Sequence, residues 1–199
     1  MAGGYRSVAG ALAIGALLCA CAAPPRAPTI PVEPWPQRLE ALRSLQDFGF
    51  DGRLGASSGS EGFSAGLRWR QQQQRASIQL TGPLGVGAAQ IELTPDSLSV
   101  HTSKGATLDQ AAARTELSTI LGFDPPLQSL RYWVLGASDP GAIAAERLDG
   151  EQRLVHLEQE GWQVDYGDYM QVQRRWLPRR LTATRGAVRL RLVVNGWRL

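Results

Sequence analysis

Gly62–Gln71 reads GFSAGLRWRQ, an unbroken alternation with Phe63, Ala65, Leu67 and Trp69 on one side and Ser64, Gly66, Arg68 and Arg70 on the other. Successive side chains of a strand point to opposite faces, so this segment predicts a strand with one buried and one solvated face. The pattern recurs downstream in ASIQLT (Ile78, Leu80), AQIELT (Ile91, Leu93) and SLSVHT (Leu98, Val100). Four such segments joined by short turns predict an antiparallel meander, with the run Gln71–Gln74 at a hairpin end. Beyond residue 150 the alternation returns in RLVHLEQ, GWQVDYGD, YMQVQRR, RRLTATR and AVRLRLVVNGWRL. In the last of these, Val188, Leu190, Leu192 and Val194 oppose Arg189 and Arg191.

Helical spacing interrupts the strands. Leu39, Leu42 and Leu45 in WPQRLEALRSLQ predict an amphipathic helix over 35–46. Thr107 and Gln110 have capping-box spacing and predict a helix running to Leu121 and stopping at Gly122. In DPPLQSLRYWVLG, Pro126 suits a first helical position, Leu127, Leu130 and Val134 form a stripe, and Gly136 ends it. A sheet of nine or more strands curls rather than lying flat. Three helices are too few to cover every apolar strand face. Either the sheet closes into a barrel or it stays a half-open cup with helices as a lid. Both enclose a space lined by aliphatic and aromatic side chains, for which Trp69, Tyr132, Trp133, Trp162, Tyr166 and Trp197 are the candidates. For each, plain core packing is the competing reading.

The first twenty residues carry one charge, Arg6, then an apolar stretch from Val8 to Leu18 too short to span a bilayer, and small residues at its end: a secretory signal peptide. The junction LLCAC predicts cleavage after Ala20 and lipidation of Cys21, as at the lipobox of bacterial lipoproteins. Cys19 is the poorer acceptor because bulky Leu18 would sit at the cut. The competing reading, a Cys19–Cys21 disulfide, is a poor framework because the chain has no other cysteine. By resemblance to such lipoproteins, Ala22 after the cysteine, in place of Asp, points to the outer membrane. Ala22–Pro36, AAPPRAPTIPVEPWP, is too proline-rich for helix or central strand and is expected to be an extended tether. The expected organisation is therefore a signal peptide over 1–20, a lipidated cysteine and tether over 21–34, and one domain over 35–199. Without Arg6 the formal charge falls from +3 to +2, too even to suggest nucleic acid.

Catalytic patterns do not emerge. His101 and His156 each sit in an alternating strand without metal-ligand spacing. SSGS at Ser57–Ser60 lacks the nucleophile-elbow pattern. Asp165 and Asp168 have the spacing of an ordinary strand end. The glycine-rich TGPLGVG lacks the lysine and the following helix that phosphate binding requires. No enzyme activity, metal or cofactor is expected.

That same loop has a second reading. Pro83 fixes one backbone angle while Gly82, Gly85 and Gly87 leave the neighbours bare, so Leu84 either projects into solvent or folds back on the sheet. Read together, Trp35, Leu39 and Leu42, GRL at 52–54, LRWRQ at 67–71, GPLG at 82–85, LRYWVLG at 130–136, GWQVDYGDY at 161–169 and LP at 177–178 make the chain resemble the LolB family of outer-membrane lipoprotein receptors. The resemblance implies a mainly β fold: a single antiparallel curved sheet forming an unclosed half-barrel, with a helical lid over a hydrophobic cavity. It also implies a monomer that accepts lipoproteins from the periplasmic carrier LolA, holds their acyl chains and inserts them into the inner leaflet of the outer membrane. Leu84, framed by Pro83 and Gly85, stands where that family has an apolar residue protruding from a loop toward membrane lipid; the second apolar residue is Val86. The alternative is a structural or assembly lipoprotein of the envelope that transports nothing.

Overall fold

The structure is a computed structural model that describes residues 1, 3, 32–82, 88–103 and 105–199. Cys21 and the loop residues Pro83, Leu84, Gly85 and Val86 lie outside the described residues. Helix α1 (Trp35–Arg43) leads into six strands: β1 (Asp47–Ser58), β2 (Glu61–Gln72), β3 (Arg75–Thr81), β4 (Ala89–Leu93), β5 (Leu98–Thr102) and β6 (Thr107–Asp109). Helices α2 (Gln110–Leu121) and α3 (Leu127–Trp133) follow. Strands β7 (Ala144–Leu148), β8 (Leu154–Gln159), β9 (Trp162–Val172), β10 (Arg175–Arg185) and β11 (Val188–Arg198) complete the chain.

All eleven strands form one antiparallel sheet in the order β6-β5-β4-β3-β2-β1-β11-β10-β9-β8-β7. Two meanders are thus joined through their outermost strands in sequence, β1 and β11, and the sheet does not close. Its free edges are β6 and β7, which are consecutive strands in the chain. The connection between them has to run from one edge to the other across the open side, and α2 and α3 are that connection. The half-barrel with a helical lid follows from the connectivity. Strand β2 keeps the predicted alternation, burying Ala65, Leu67, Trp69 and Gln71 and exposing Ser64, Gly66, Arg68 and Arg70.

Four local expectations are corrected. Thr107 does not cap a helix; Thr107–Asp109 pairs with β5, His101 Nδ1 lies 2.9 Å from Thr107 Oγ1, and the helix begins at Gln110. Pro126 precedes α3 instead of opening it, and α1 ends at Arg43. Most of YMQVQRR is the end of β9 and its turn, so GWQVDYGDYMQV is one strand. Besides β6, two strands escape the alternation signal, β1 and β7. In β1, Gly49, Gly52 and Gly55 interrupt the apolar series Phe48, Phe50, Leu54 and Ala56. Gly52 sits at a register shift in the β1–β11 pairing, where an added Cβ would overlap the Val193 carbonyl oxygen. The close approach of two backbones, not looseness, accounts for that glycine.

Among the described residues the buried apolar core runs from Leu42 to Val194, all of it after the proline-rich stretch. Gly52→Ala is expected to lower stability by about 1–3 kcal/mol or more through overpacking at the joint of the two meanders. Gly55→Ala, in the same strand with its nearest neighbour 4.0 Å away, is expected to stay within about 0.5 kcal/mol of the parent. Urea unfolding of both variants measures the difference.

Candidate functional site

The site is the inner face of the sheet together with the two helices that cross it. Helix α2 buries Ala113, Leu117 and Leu121, one per turn, against β5, β6 and β2. It stops at Gly122, whose φ of 80° and N–H bond to Ser118 O form a left-handed terminus. Helix α3 buries Leu130 and Trp133, and the chain after it, Val134, Leu135 and Ala137, is buried as well.

Polar groups hold this roof to the sheet at few points. Gln159, 2% exposed at the end of β8, accepts the Trp133 indole N–H and the Asp139 backbone N–H at 2.9 Å each and donates to the carbonyls of Asp139 and Ala142. Its amide is therefore satisfied by the helix and the segment that follows it. From β9, the Tyr166 hydroxyl donates to the Trp133 carbonyl at 3.0 Å. The Tyr169 hydroxyl donates to Leu154 O at 2.6 Å. Burial pushes both phenols well above their ordinary pKa, so both stay neutral donors. Ser129 Oγ lies 3.0 Å from carboxylate oxygens of both Asp139 and Glu160.

The six aromatic candidates fall into two groups. Trp69 stacks on Phe50 at 5.9 Å and Trp197 packs on Phe50 at 4.8 Å, around the β2–β1–β11 joint. Trp197 donates its indole N–H to Pro178 O. Under α3, Trp133 meets Trp162 edge to face at 6.1 Å, Phe123 meets Trp162 at 6.0 Å, and Tyr166 lies beside Tyr169. Tyr132 is half-buried at the rim with Arg131 over its ring. Gln159 and Phe123, which join the second group to the roof, and Phe50, which centres the first, were not singled out in the sequence. Gln159 carried one usable signal: it continues the inward parity of Leu157, a position where an amide is buried only if it has partners.

Trp162 also borders a cleft of about 430 Å³ between the α2–α3 segment and the strands, lined among others by Leu93, Arg114, Leu127 and Arg185. Arg185 stacks on the Trp162 ring at 4.6 Å. The buried Trp162 indole N–H has no acceptor among the described residues. Elsewhere, the polar groups singled out in the sequence have structural partners. His156 Nδ1 lies 2.7 Å from Asp165 across β8 and β9, and the hydrogen bond to that carboxylate raises the imidazole pKa. Asp168 pairs with Arg180 at 3.2 Å. Ser57 and Ser58 end β1 before a turn at Gly59, φ 60°. Among the described residues no group of three or more His, Cys, Asp or Glu side chains is placed to hold a metal.

A family model described as outer membrane lipoprotein LolB matches residues 46–197. The outer-membrane lipoprotein LolB of Nitrosococcus oceani is 34% identical over 170 residues, which cover 85% of each chain. That of Alkalilimnicola ehrlichii is 34% identical over 185 residues, covering 92% of each. Among solved structures, a LolA superfamily protein from Nitrosomonas europaea superposes with a TM-score of 0.54 at 8% identity, over 82% of this chain and 90% of the other. That likeness concerns the fold.

The two indoles under α3 are expected to respond differently to the same change. Trp133→Phe removes a donor that Gln159 uses and is expected to cost about 1–3 kcal/mol. Trp162→Phe removes a donor with no partner, so it is expected to cost less than Trp133→Phe despite the similar loss of ring volume. Paired denaturant titrations read both.

Proposed function

The chain belongs to the LolB family of outer-membrane lipoproteins, and from that membership we propose that it receives lipoproteins in the periplasm and delivers them to the outer membrane. In this reading the soluble carrier LolA hands over the client, and the acyl chains lodge between the inner face of the sheet and helices α2 and α3. The protein, held to the membrane by acyl groups on Cys21, then releases the chains into the inner leaflet. The observation that carries the proposal is the roof: an apolar, aromatic-rich inner face is spanned by a crossing segment whose polar ties to the sheet are concentrated at Gln159 and Tyr166.

An acyl chain of about 16 carbons is unfavourable in water by on the order of 10 kcal/mol, so it has to move from one apolar enclosure to another. In the structure the aromatic rings beneath α3 touch one another. Acyl chains therefore enter by lifting the α2–α3 segment from the sheet, and the cleft beside Trp162 is the natural point of entry. A gradient of affinity, from carrier to receptor to bilayer, suffices to drive transfer without a nucleotide.

Locking the roof tests the role. A Cβ at Gly122 would lie 3.5 Å from the Ser58 Cβ, within the range for a disulfide. The chain from Ala22 onward has no other cysteine. Gly122→Cys combined with Ser58→Cys is expected to abolish binding of a fluorescent fatty-acid analogue when oxidised and to restore it on reduction. Binding by neither the parent nor the reduced variant would favour a structural lipoprotein instead.

Leu84 is proposed as the residue that enters lipid at release. Burying a leucine is worth roughly 1.5–3 kcal/mol, enough to bias a final hand-off without trapping the protein on the bilayer. Leu84→Glu is expected to leave the melting temperature and uptake from the carrier unchanged and to impair insertion into liposomes. Early melting or a normal insertion rate would remove that role.

A further inference from the structure

We infer that the outer face of the sheet, at the joint of the two meanders, is a cationic surface that docks on anionic phospholipid headgroups. The alternation that turns leucines and valines inward turns arginines outward. Arg53 on β1 and Arg189 and Arg191 on β11 are exposed and make no ion pair among the described residues. Their cross-strand neighbours are small and uncharged. Arg191 lies between Gly55 and Thr182, Arg189 between Ser57 and Thr184, and Arg53 between Gly66 and Val193. Arg53 and Arg191 are diagonal neighbours across the β1–β11 pair, about 7–8 Å apart. Beside them, Arg68 and Arg198 both bind the one carboxylate Asp51. Arg70 lies toward the end of β1 that carries Asp47. In a chain whose formal charge is only +3, this concentrates positive charge on one patch of one face.

The chemistry of the patch selects a lipid surface. Guanidinium groups grip phosphate oxygens through paired N–H donors, and every cation here is arginine. The flanking hydroxyls of Ser57 and Thr182 add short-range hydrogen-bonding capacity for headgroup oxygens. Stable protein interfaces are centred on buried aromatic or aliphatic anchors. The largest apolar side chain bordering these three arginines is Val193, so the patch offers charge without an anchor, as suits a fluid anionic surface. This inference goes beyond the proposed hand-over and does not rest on it.

The test needs neither client nor carrier. The chain from Ala22 onward, which holds the buried core of the described residues, is sedimented with phosphatidylcholine vesicles with and without phosphatidylglycerol, at low and high salt. Binding is expected only with phosphatidylglycerol and is expected to weaken as salt screens it. Each exposed arginine near the surface contributes about fivefold, so Arg53→Gln, Arg189→Gln and Arg191→Gln together are expected to weaken binding on the order of a hundredfold. Asp51→Asn frees Arg68 and Arg198 and is expected to tighten binding to the phosphatidylglycerol vesicles alone by about fivefold, whereas misfolding would raise binding to phosphatidylcholine as well. Arg75→Gln, Arg147→Gln and Arg174→Gln together, all exposed and away from the three face arginines, serve as the control of equal charge. The inference is overturned if that control weakens binding as much, if phosphatidylcholine alone binds equally, or if Asp51→Asn brings no gain. Vesicle binding indifferent to the three face substitutions, with retention of an acidic protein that they abolish, would assign the face to a protein partner and overturn it too.

Discussion

The pairing of β1 with β11 is the contact from which the architecture follows. Joining the first and last strands of the sheet side by side places the consecutive strands β6 and β7 at opposite free edges. A chain that must travel from one edge to the other cannot avoid the open side of the sheet, and it crosses there as α2 and α3. The pairing brings the two backbones so close at Gly52 and Val193 that no side chain fits. It also brings the outward arginines of β11 beside those of the β1–β2 hairpin. The roof, the inner face and the charged outer face are thus consequences of one set of main-chain hydrogen bonds.

What fastens the roof differs in kind from what fills it. Beneath α3 the contacts are aromatic and aliphatic, and such contacts are non-directional and can be exchanged for acyl chains of similar chemistry. The ties at Gln159 and Tyr166 are directional and buried, and breaking one leaves a polar group without water or partner at a cost of about 1–3 kcal/mol. In the proposed transfer, lifting the helices exchanges the first kind of contact for acyl contact at little loss, whereas the second kind, which runs through Trp133, has to open and re-form. That separation suits the proposed transient holding of a lipid: the apolar surface exchanges occupants while the polar ties set the register to which the helices return.

Much of the site was visible in the chain and some of it was not. Trp69 was read as inward-facing from its parity, and Trp133, Trp162 and Tyr166 were named as candidates for an apolar lining beside the reading of plain core packing; all four are buried. Their division into two groups was not legible, because it depends on which strands curl toward which. Phe50 was missed since the glycines of β1 hide the alternation around it, and one of them, Gly52, answers to Val193 on a strand more than a hundred residues away. Thr107 misled for a related reason: a capping-box spacing is local, and the pairing of β6 with β5 overrides it.

Side-chain periodicity and the helix stop at Gly122 are local properties, so the amino-acid sequence by itself determined that this is a mainly β domain with a few amphipathic helices. Strand order is not local. Which strands meet is decided by the summed burial of faces from both halves of the chain, and only that tertiary outcome set β1 against β11, left the sheet open, drew α2 and α3 across it, and turned scattered arginines into a surface.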